Sequence, residues 1–228
     1  MNVAIIVAAG QGARMGGGRA KQFLELAGVP VIVHSLRRFE QCATIAACIV
    51  VLPATETSSF LTIAEQYKLR KLTRIVAGGT TRTESVARGL QAVQAATAGI
   101  IAVHDGVRPF VTPAEIDQTV RAADASGAAV LVAPVVDTIK EIHGEQITRT
   151  LPREQMRRAL TPQCFHYDLL CRAYERARAH KLEATDCSAL VEQLGVCITA
   201  VAGDPRNIKL TRPEDLALAE IMIREFKV

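Results

Sequence analysis

Aromatic residues make up 4% of this 228-residue chain, and its Lys and Arg are scattered rather than gathered into a basic run, although the net charge is +4. A nucleic-acid surface is therefore not expected. Small anionic substrates explain the excess positive charge better. No apolar run approaches the ~20 residues of a membrane span, and the first apolar strand starts almost at Met1 with no basic lead. Neither membrane insertion nor export is expected. The six cysteines (Cys42, Cys48, Cys164, Cys171, Cys187, Cys197) form no Cys-x-x-Cys pair and have no His at zinc spacing. Reduced, mostly buried thiols in a cytoplasmic protein follow. Two common phosphate-loop fingerprints are missing as well. The dinucleotide pattern needs a third glycine where Met15 stands, and the Walker loop needs Gly-Lys-Ser/Thr where Gly17-Gly18-Arg19 stand.

What is present is 49% apolar residue content, enough to bury the core of one α/β domain spanning 1–228. Apolar runs rich in β-branched residues recur at Val3 to Val7, Ile45 to Leu52, Arg74 to Ala77, Gly99 to His104, Ala128 to Ala133 and Val196 to Val201, with helical patterns between them. This alternation predicts a doubly wound, mostly parallel sheet covered on both faces. Three capping boxes mark helix starts: Thr81-x-x-Glu84, Thr112-Pro113-x-Glu115 and Thr211-x-Pro213-Glu214. The last opens a helix from Arg212 to Phe226 whose Leu216, Ala219, Ile223 and Phe226 share one face. Residues 137–151 break the pattern with two short extended runs, Thr138 to Ile142 and Gln146 to Leu151, around His143-Gly144-Glu145. They read as a β-hairpin arm. An isolated hairpin is marginal in water, so it should lie on another surface. A twofold partner supplies one simply and predicts a homodimer; folding back onto its own domain is the alternative.

In an open parallel sheet, ligands bind beyond the carboxyl ends of the strands. After the first strand comes Ala8-Ala9-Gly10-Gln11-Gly12-Ala13-Arg14-Met15 and then Lys21, a glycine-rich loop whose bare amides can close round phosphates, with two cations at short spacing. The plain alternative is a tight strand-to-loop turn. Gly78-Gly79-Thr80-Thr81-Arg82 with Ser85, and Asp105-Gly106-Val107-Arg108-Pro109, follow two other strands. Gly78-Gly79 could admit a flat base, or could be a simple connector before a helix.

These clusters join Lys21-Gln22-Phe23, Ala133-Pro134-Val135-Val136-Asp137-Thr138-Ile139-Lys140, Thr161-Pro162-Gln163, Thr185-Asp186 and Asn207-Ile208-Lys209-Leu210-Thr211 in one order. Together they closely resemble the 2-C-methyl-D-erythritol 4-phosphate cytidylyltransferases, CTP-using enzymes of non-mevalonate isoprenoid synthesis, from Val3 to about Ala219. The resemblance implies a Rossmann-like nucleotidyltransferase domain with a hairpin arm embracing a second subunit. It implies nucleotide binding by Ala8, Ala9, Gly10, Gly12, Gly79, Arg82, Ser85 and Gly106, and catalysis by Arg14, Lys21 and Lys209. Asp105, Arg108, Thr138, Arg153, Thr161 and Thr185 would bind the polyol phosphate, with Thr138 and Arg153 reaching in from the partner. Mg²⁺ would ride on the CTP phosphates rather than in a protein cage. Departures from the family pattern are Val7 and Ala20 where Pro is usual, Gly106-Val107 where Ala-Ala is frequent, and Cys187 where an acidic residue usually follows Thr-Asp. The last puts the substrate-hydroxyl side in question.

The implied reaction has a phosphate monoester oxygen attacking the α-phosphorus of CTP and expelling pyrophosphate. With a second pKa of about 6, the attacking phosphate is mostly dianionic near neutral pH and needs no side-chain base. His104 is accordingly expected to be structural. Two other readings remain: a cytidylyltransferase for another polyol phosphate such as ribitol 5-phosphate, and a non-catalytic nucleotide-binding regulator. The second has no reason to keep Lys209, Arg153 and Thr185 around another pocket.

Overall fold

A computed structural model describes residues 1–10 and 20–226. The first half contains β1 (Val3–Val7), β2 (Glu25–Leu26), β3 (Val29–Pro30), α1 (Val31–Gln41), β4 (Ala47–Leu52), α2 (Ser59–Gln66), β5 (Leu72–Ala77) and α3 (Arg82–Gln91). Then follow β6 (Ile100–Asp105), α4 (Pro113–Ser126), β7 (Ala128–Pro134), β8 (Ile139–His143), β9 (Gln146–Leu151) and β10 (Arg157–His166). The chain ends with α5 (Tyr167–His180), α6 (Cys187–Glu192), β11 (Thr199–Ala202) and α7 (Pro213–Phe226).

Seven strands form one sheet in the order β11-β7-β10-β6-β1-β4-β5. Its strands are parallel except β10, which runs antiparallel to both β6 and β7. The near-continuous apolar runs are explained by burial on both faces. In β1, Ala4 and Ile6 pack into one apolar core while Val3 and Ile5 pack into another on the opposite face. Each fully buried Ile adds roughly 1.5–3 kcal/mol. A third, smaller core joins α7 to Leu26, Val31, Val107 and Phe110 through Leu216, Ala219, Met222 and Ile223; the side chain of Phe226 lies outside the described residues.

β10 departs from the six-strand expectation. A proline in a central strand normally argues against that strand, because it cannot donate to the ladder. Here the pairing with β7 shifts register between Ala159 and Gln163, and Pro162 falls inside that irregularity. The other differences are small: β5 starts at Leu72 rather than Arg74, and β11 covers Thr199–Ala202 rather than starting at Val196. Among the caps, Thr112 and Glu115 form the full reciprocal box. Thr81 accepts from Glu84 N, but the Glu84 carboxylate turns to Thr80. At α7 the carboxylate serving Thr211 and Arg212 belongs to Asp215, one residue beyond the expected Glu214.

Candidate functional site

The chain leaves β1 through α1 toward β4 and β5, then returns to place β6 on the other side of β1. The crossovers on either side of β1 and β6 thus run in opposite directions, which opens a crevice at the carboxyl ends of these strands. A cleft of about 180 Å³ lies there, lined by Val7 to Gly10, Lys21, Gln22, Gly79 to Arg82, Ser85, Asp105, Val107 and Lys209. Residues from both ends of the chain meet in it.

Backbone bonds fix its floor. Ala8 N donates to Val51 O (2.8 Å), Gly106 N to Val7 O (2.9 Å) and Gly78 N to Leu52 O (2.7 Å). Close approach then demands glycine at 78: a Cβ there would stand 2.2 Å from Ala9 Cβ. Gly106 is less constrained, since its added Cβ would meet Ala8 Cβ at 2.9 Å. Ser85 Oγ accepts from Gly79 N (3.1 Å) and donates to Thr81 O (2.9 Å), so the hydroxyl braces the Gly79 turn while lining the cleft.

The electrostatic centre is Asp105, at the end of β6. Its carboxylate faces Lys209 Nζ at 2.9 Å, Arg82 Nε at 3.3 Å and Arg108 Nε at 3.4 Å. Burial alone would raise the pKa of this carboxyl. Arg82, Lys209 and Arg108 outweigh that and hold it well below the usual carboxylate range. With Lys21 also in the wall, the cleft keeps an excess of positive charge. Behind Asp105 lies a buried relay. Asp105 N donates to Thr161 Oγ1 (3.2 Å), Thr161 Oγ1 lies 2.9 Å from His104 Nδ1, and His104 Nε2 lies 3.2 Å from Arg108 O. A carbonyl can only accept, so Nε2 carries the proton and Thr161 donates to Nδ1. Burial pushes the His104 pKa down to about 4, which keeps the ring neutral and structural.

The sequence candidates divide accordingly. Ala8, Ala9, Gly10, Lys21, Gly79, Arg82, Ser85, Asp105 and Lys209 share the cleft. Arg108 stands beside it, anchored also to Asn207 O (2.8 Å). Gly106 and Thr161 support it from below, and the hydroxyl of Thr161 is spent on His104. Thr185 is exposed and outside the cleft wall. Thr138 and Arg153 lie exposed at the hairpin; Arg153 Nη1 donates to Val136 O (3.0 Å). Gly12 and Arg14 lie outside the described residues.

Sequence reasoning gave Asn207 and Gln22 no role. Asn207 is fully buried and ties Thr161 O to the Arg108 anchor through its Nδ2 (2.9 Å). Its signal was a polar residue two positions before Lys209, which looks like an ordinary loop residue. Cys187, where the family pattern suggested an acid facing substrate, is instead fully buried. Its Sγ lies 3.3 Å from Tyr174 Oη and 3.5 Å from Arg82 Nη1. The departure therefore falls behind Arg82.

Comparison with known proteins accords with this geometry. The family model described as IspD, 2-C-methyl-D-erythritol 4-phosphate cytidylyltransferase, matches residues 2–225. The protein of that name from Pelotomaculum thermopropionicum is 45% identical over 223 residues, covering 97% of this chain and 93% of the relative. Among solved structures, the 4-diphosphocytidyl-2C-methyl-D-erythritol synthase of Anaerococcus prevotii superposes with a TM-score of 0.88 at 29% identity, covering 98% of this chain and 96% of that one. The 2-C-methyl-D-erythritol 4-phosphate cytidylyltransferase of Thermus thermophilus gives 0.79 at 37% identity, covering 98% and 100%. A full-length match in sequence and fold, over a cationic cleft at the switch point of the sheet, places the chain in the 2-C-methyl-D-erythritol 4-phosphate cytidylyltransferase family.

Proposed function

We propose that the cleft binds CTP and 2-C-methyl-D-erythritol 4-phosphate and joins them as 4-diphosphocytidyl-2-C-methyl-D-erythritol, releasing pyrophosphate. The observation that carries this reading is the meeting of Lys21, Lys209 and the Asp105-centred cations with the Ala8–Gly10 and Gly79 backbone in one cleft. A phosphate oxygen of the polyol attacks the α-phosphorus, and the bond to the β-phosphate oxygen breaks. Two polyanions must approach, and charge grows on the α-phosphoryl oxygens and the leaving group. Fixed cations stabilise that charge without reorganising. Lys21 and Lys209 serve this role, joined by Arg14. Asp105 gathers Lys209, Arg82 and Arg108, and its remaining lone pairs can accept a polyol hydroxyl.

His104 supplies no base, because both ring nitrogens are used and the ring is buried. Among the described residues no group of three or more His, Cys, Asp or Glu side chains could cage a metal ion, and Asp105 is committed to cations. A magnesium ion would be held chiefly by nucleotide phosphate oxygens, where it would supply further charge neutralisation. The chain acts as one catalytic domain with residues 137–151 as an arm, and Thr138 and Arg153 complete the site of a twofold partner. Six free cysteines suit a reducing compartment, and we place the enzyme in the cytoplasm. Among the described residues, no helix is long and apolar enough to cross a membrane.

Pyrophosphate release measured with CTP, ATP, GTP and UTP against a panel of polyol phosphates tests the assignment. Turnover is expected only with CTP and methylerythritol phosphate together. Preference for ribitol 5-phosphate would move the enzyme to another substrate, and no turnover with any pair would leave a binding protein.

A further inference from the structure

Gln22 is 1% exposed, yet it stands in the cleft wall, and its amide nitrogen has no hydrogen-bond partner among the described residues. It belongs to the short 3-10 turn Lys21–Phe23, directly after a cation of the cleft. A buried donor left unpaired has lost its hydration for nothing, and native proteins seldom keep one without a use. Asn207 Oδ1, also buried and unpartnered among the described residues, is an acceptor and lies outside the cleft wall. Gln22 Nε2 is thus a donor without an acceptor among the described residues, beside Lys21 in a cleft also lined by Arg82 and Lys209.

We propose that Gln22 is a substrate-positioning residue whose amide donates a hydrogen bond to a phosphate oxygen of a bound reactant. The inference rests on the cleft being the site of cytidylyl transfer. Phosphoryl oxygens only accept, so they match a donor in want of an acceptor. A neutral amide also adds direction that flexible lysines lack, without adding charge. Two sources can supply the oxygen: the triphosphate of CTP or the phosphate of the polyol.

Gln22→Met keeps length and burial while removing the donor. The ligand-free variant should melt at the parental temperature or above it, because an unpaired polar group has gone. The KM for the phosphate it serves should rise about tenfold, the effect of losing one hydrogen bond to a charged group. A higher KM for CTP with unchanged inhibition by cytidine assigns the triphosphate. A higher KM for methylerythritol phosphate with CTP unaffected assigns the polyol. Unchanged KM values for both, or equal losses of cytidine and CTP binding with a lowered melting temperature, would overturn the proposal. In the unsubstituted enzyme, the Gln22 side-chain NH₂ resonances should shift on adding CTP or methylerythritol phosphate but not cytidine. No shift with either phosphate also overturns it. Lys209→Ala measured in parallel separates the two levels: parental activity there defeats the site itself, whereas its loss beside an unaffected Gln22→Met defeats only the role of Gln22.

Discussion

Asp105 holds three cations while its own backbone is held from behind. Its amide bonds Thr161 Oγ1, Thr161 satisfies His104 Nδ1, and His104 Nε2 returns to Arg108 O, close to one of the cations. Protonating His104 would turn Nδ1 into a donor facing a hydroxyl that already donates to it. The sign of the pH effect follows. The folded pKa of about 4 lies below the ordinary 6.5, so between these values the unfolded chain binds the extra proton. Stability from neutral His104 is complete above pH 6.5 and declines as the pH falls toward 4, by at most about 1.4 kcal/mol per pH unit. Urea midpoints taken from about pH 7 to 4.5 should fall more steeply in the parent than in His104→Asn, although the variant is weaker at neutral pH. His34, also lowered chiefly by burial, acts in the same direction in both proteins and cancels in the comparison. Parallel curves would show that His104 is not the group responsible. The sequence made Asp105 legible as a site residue but not as the centre of a cation cluster. Arg82, Arg108 and Lys209 reach it from three separate segments, and no local spacing records that meeting. The contact of Thr161 with His104, 57 positions away, was hidden for the same reason.

At the level of elements, strands buried on both faces were readable because a continuous apolar run of that length is stable only between two covering layers. β10 was not readable in this way. It opens on Arg157 and Arg158 and carries Pro162, and the bulge that admits the proline exists only through its pairing with β7. The hairpin was readable from its turn, and the structure shows what the turn could not. β8 and β9 form a sheet of their own, and Ile142 and Ile147, opposite each other in register, are each 65% exposed. Val136 at its base is 75% exposed. Isoleucines left this open by their own chain suit an arm that closes on a second subunit. Ile142→Asp combined with Ile147→Lys replaces them with an opposed-charge pair that the hairpin itself tolerates. Exposed changes of this kind cost the single chain within about 0.5 kcal/mol. Sedimentation should therefore show a dimer in the parent and a monomer in the double variant, with secondary structure intact. A double variant that remains dimeric would place the contact elsewhere.

For the whole molecule, the proposed site draws on residues that a single chain does not gather in one cleft. Lys21, Asp105 and Lys209 meet in the cleft, while Arg153 stands beyond the hairpin, more than half exposed and paired with Glu154 at 3.5 Å. An exposed pair of that kind contributes little, and the other bond of Arg153 runs to Val136 O of its own chain at 3.0 Å. In the proposed dimer, a twofold axis would bring each arm to the other subunit's cleft and each arginine to the other subunit's phosphate. The consequence can be counted. A chain with Lys21→Ala keeps a working arm and a disabled cleft; a chain with Arg153→Ala keeps a working cleft and a disabled arm. In a dimer of the two, one site combines both intact parts and the other combines both defects. Subunits exchanged at equal concentration form mixed dimers about half the time, so activity should recover to roughly a quarter of the parental level. The single variants alone should stay far below it. Recovery would require that a single active site draw on two chains. Mixed dimers verified by mass, yet no more active than either variant alone, would mean that each site is built within one chain and that Arg153 serves its own subunit.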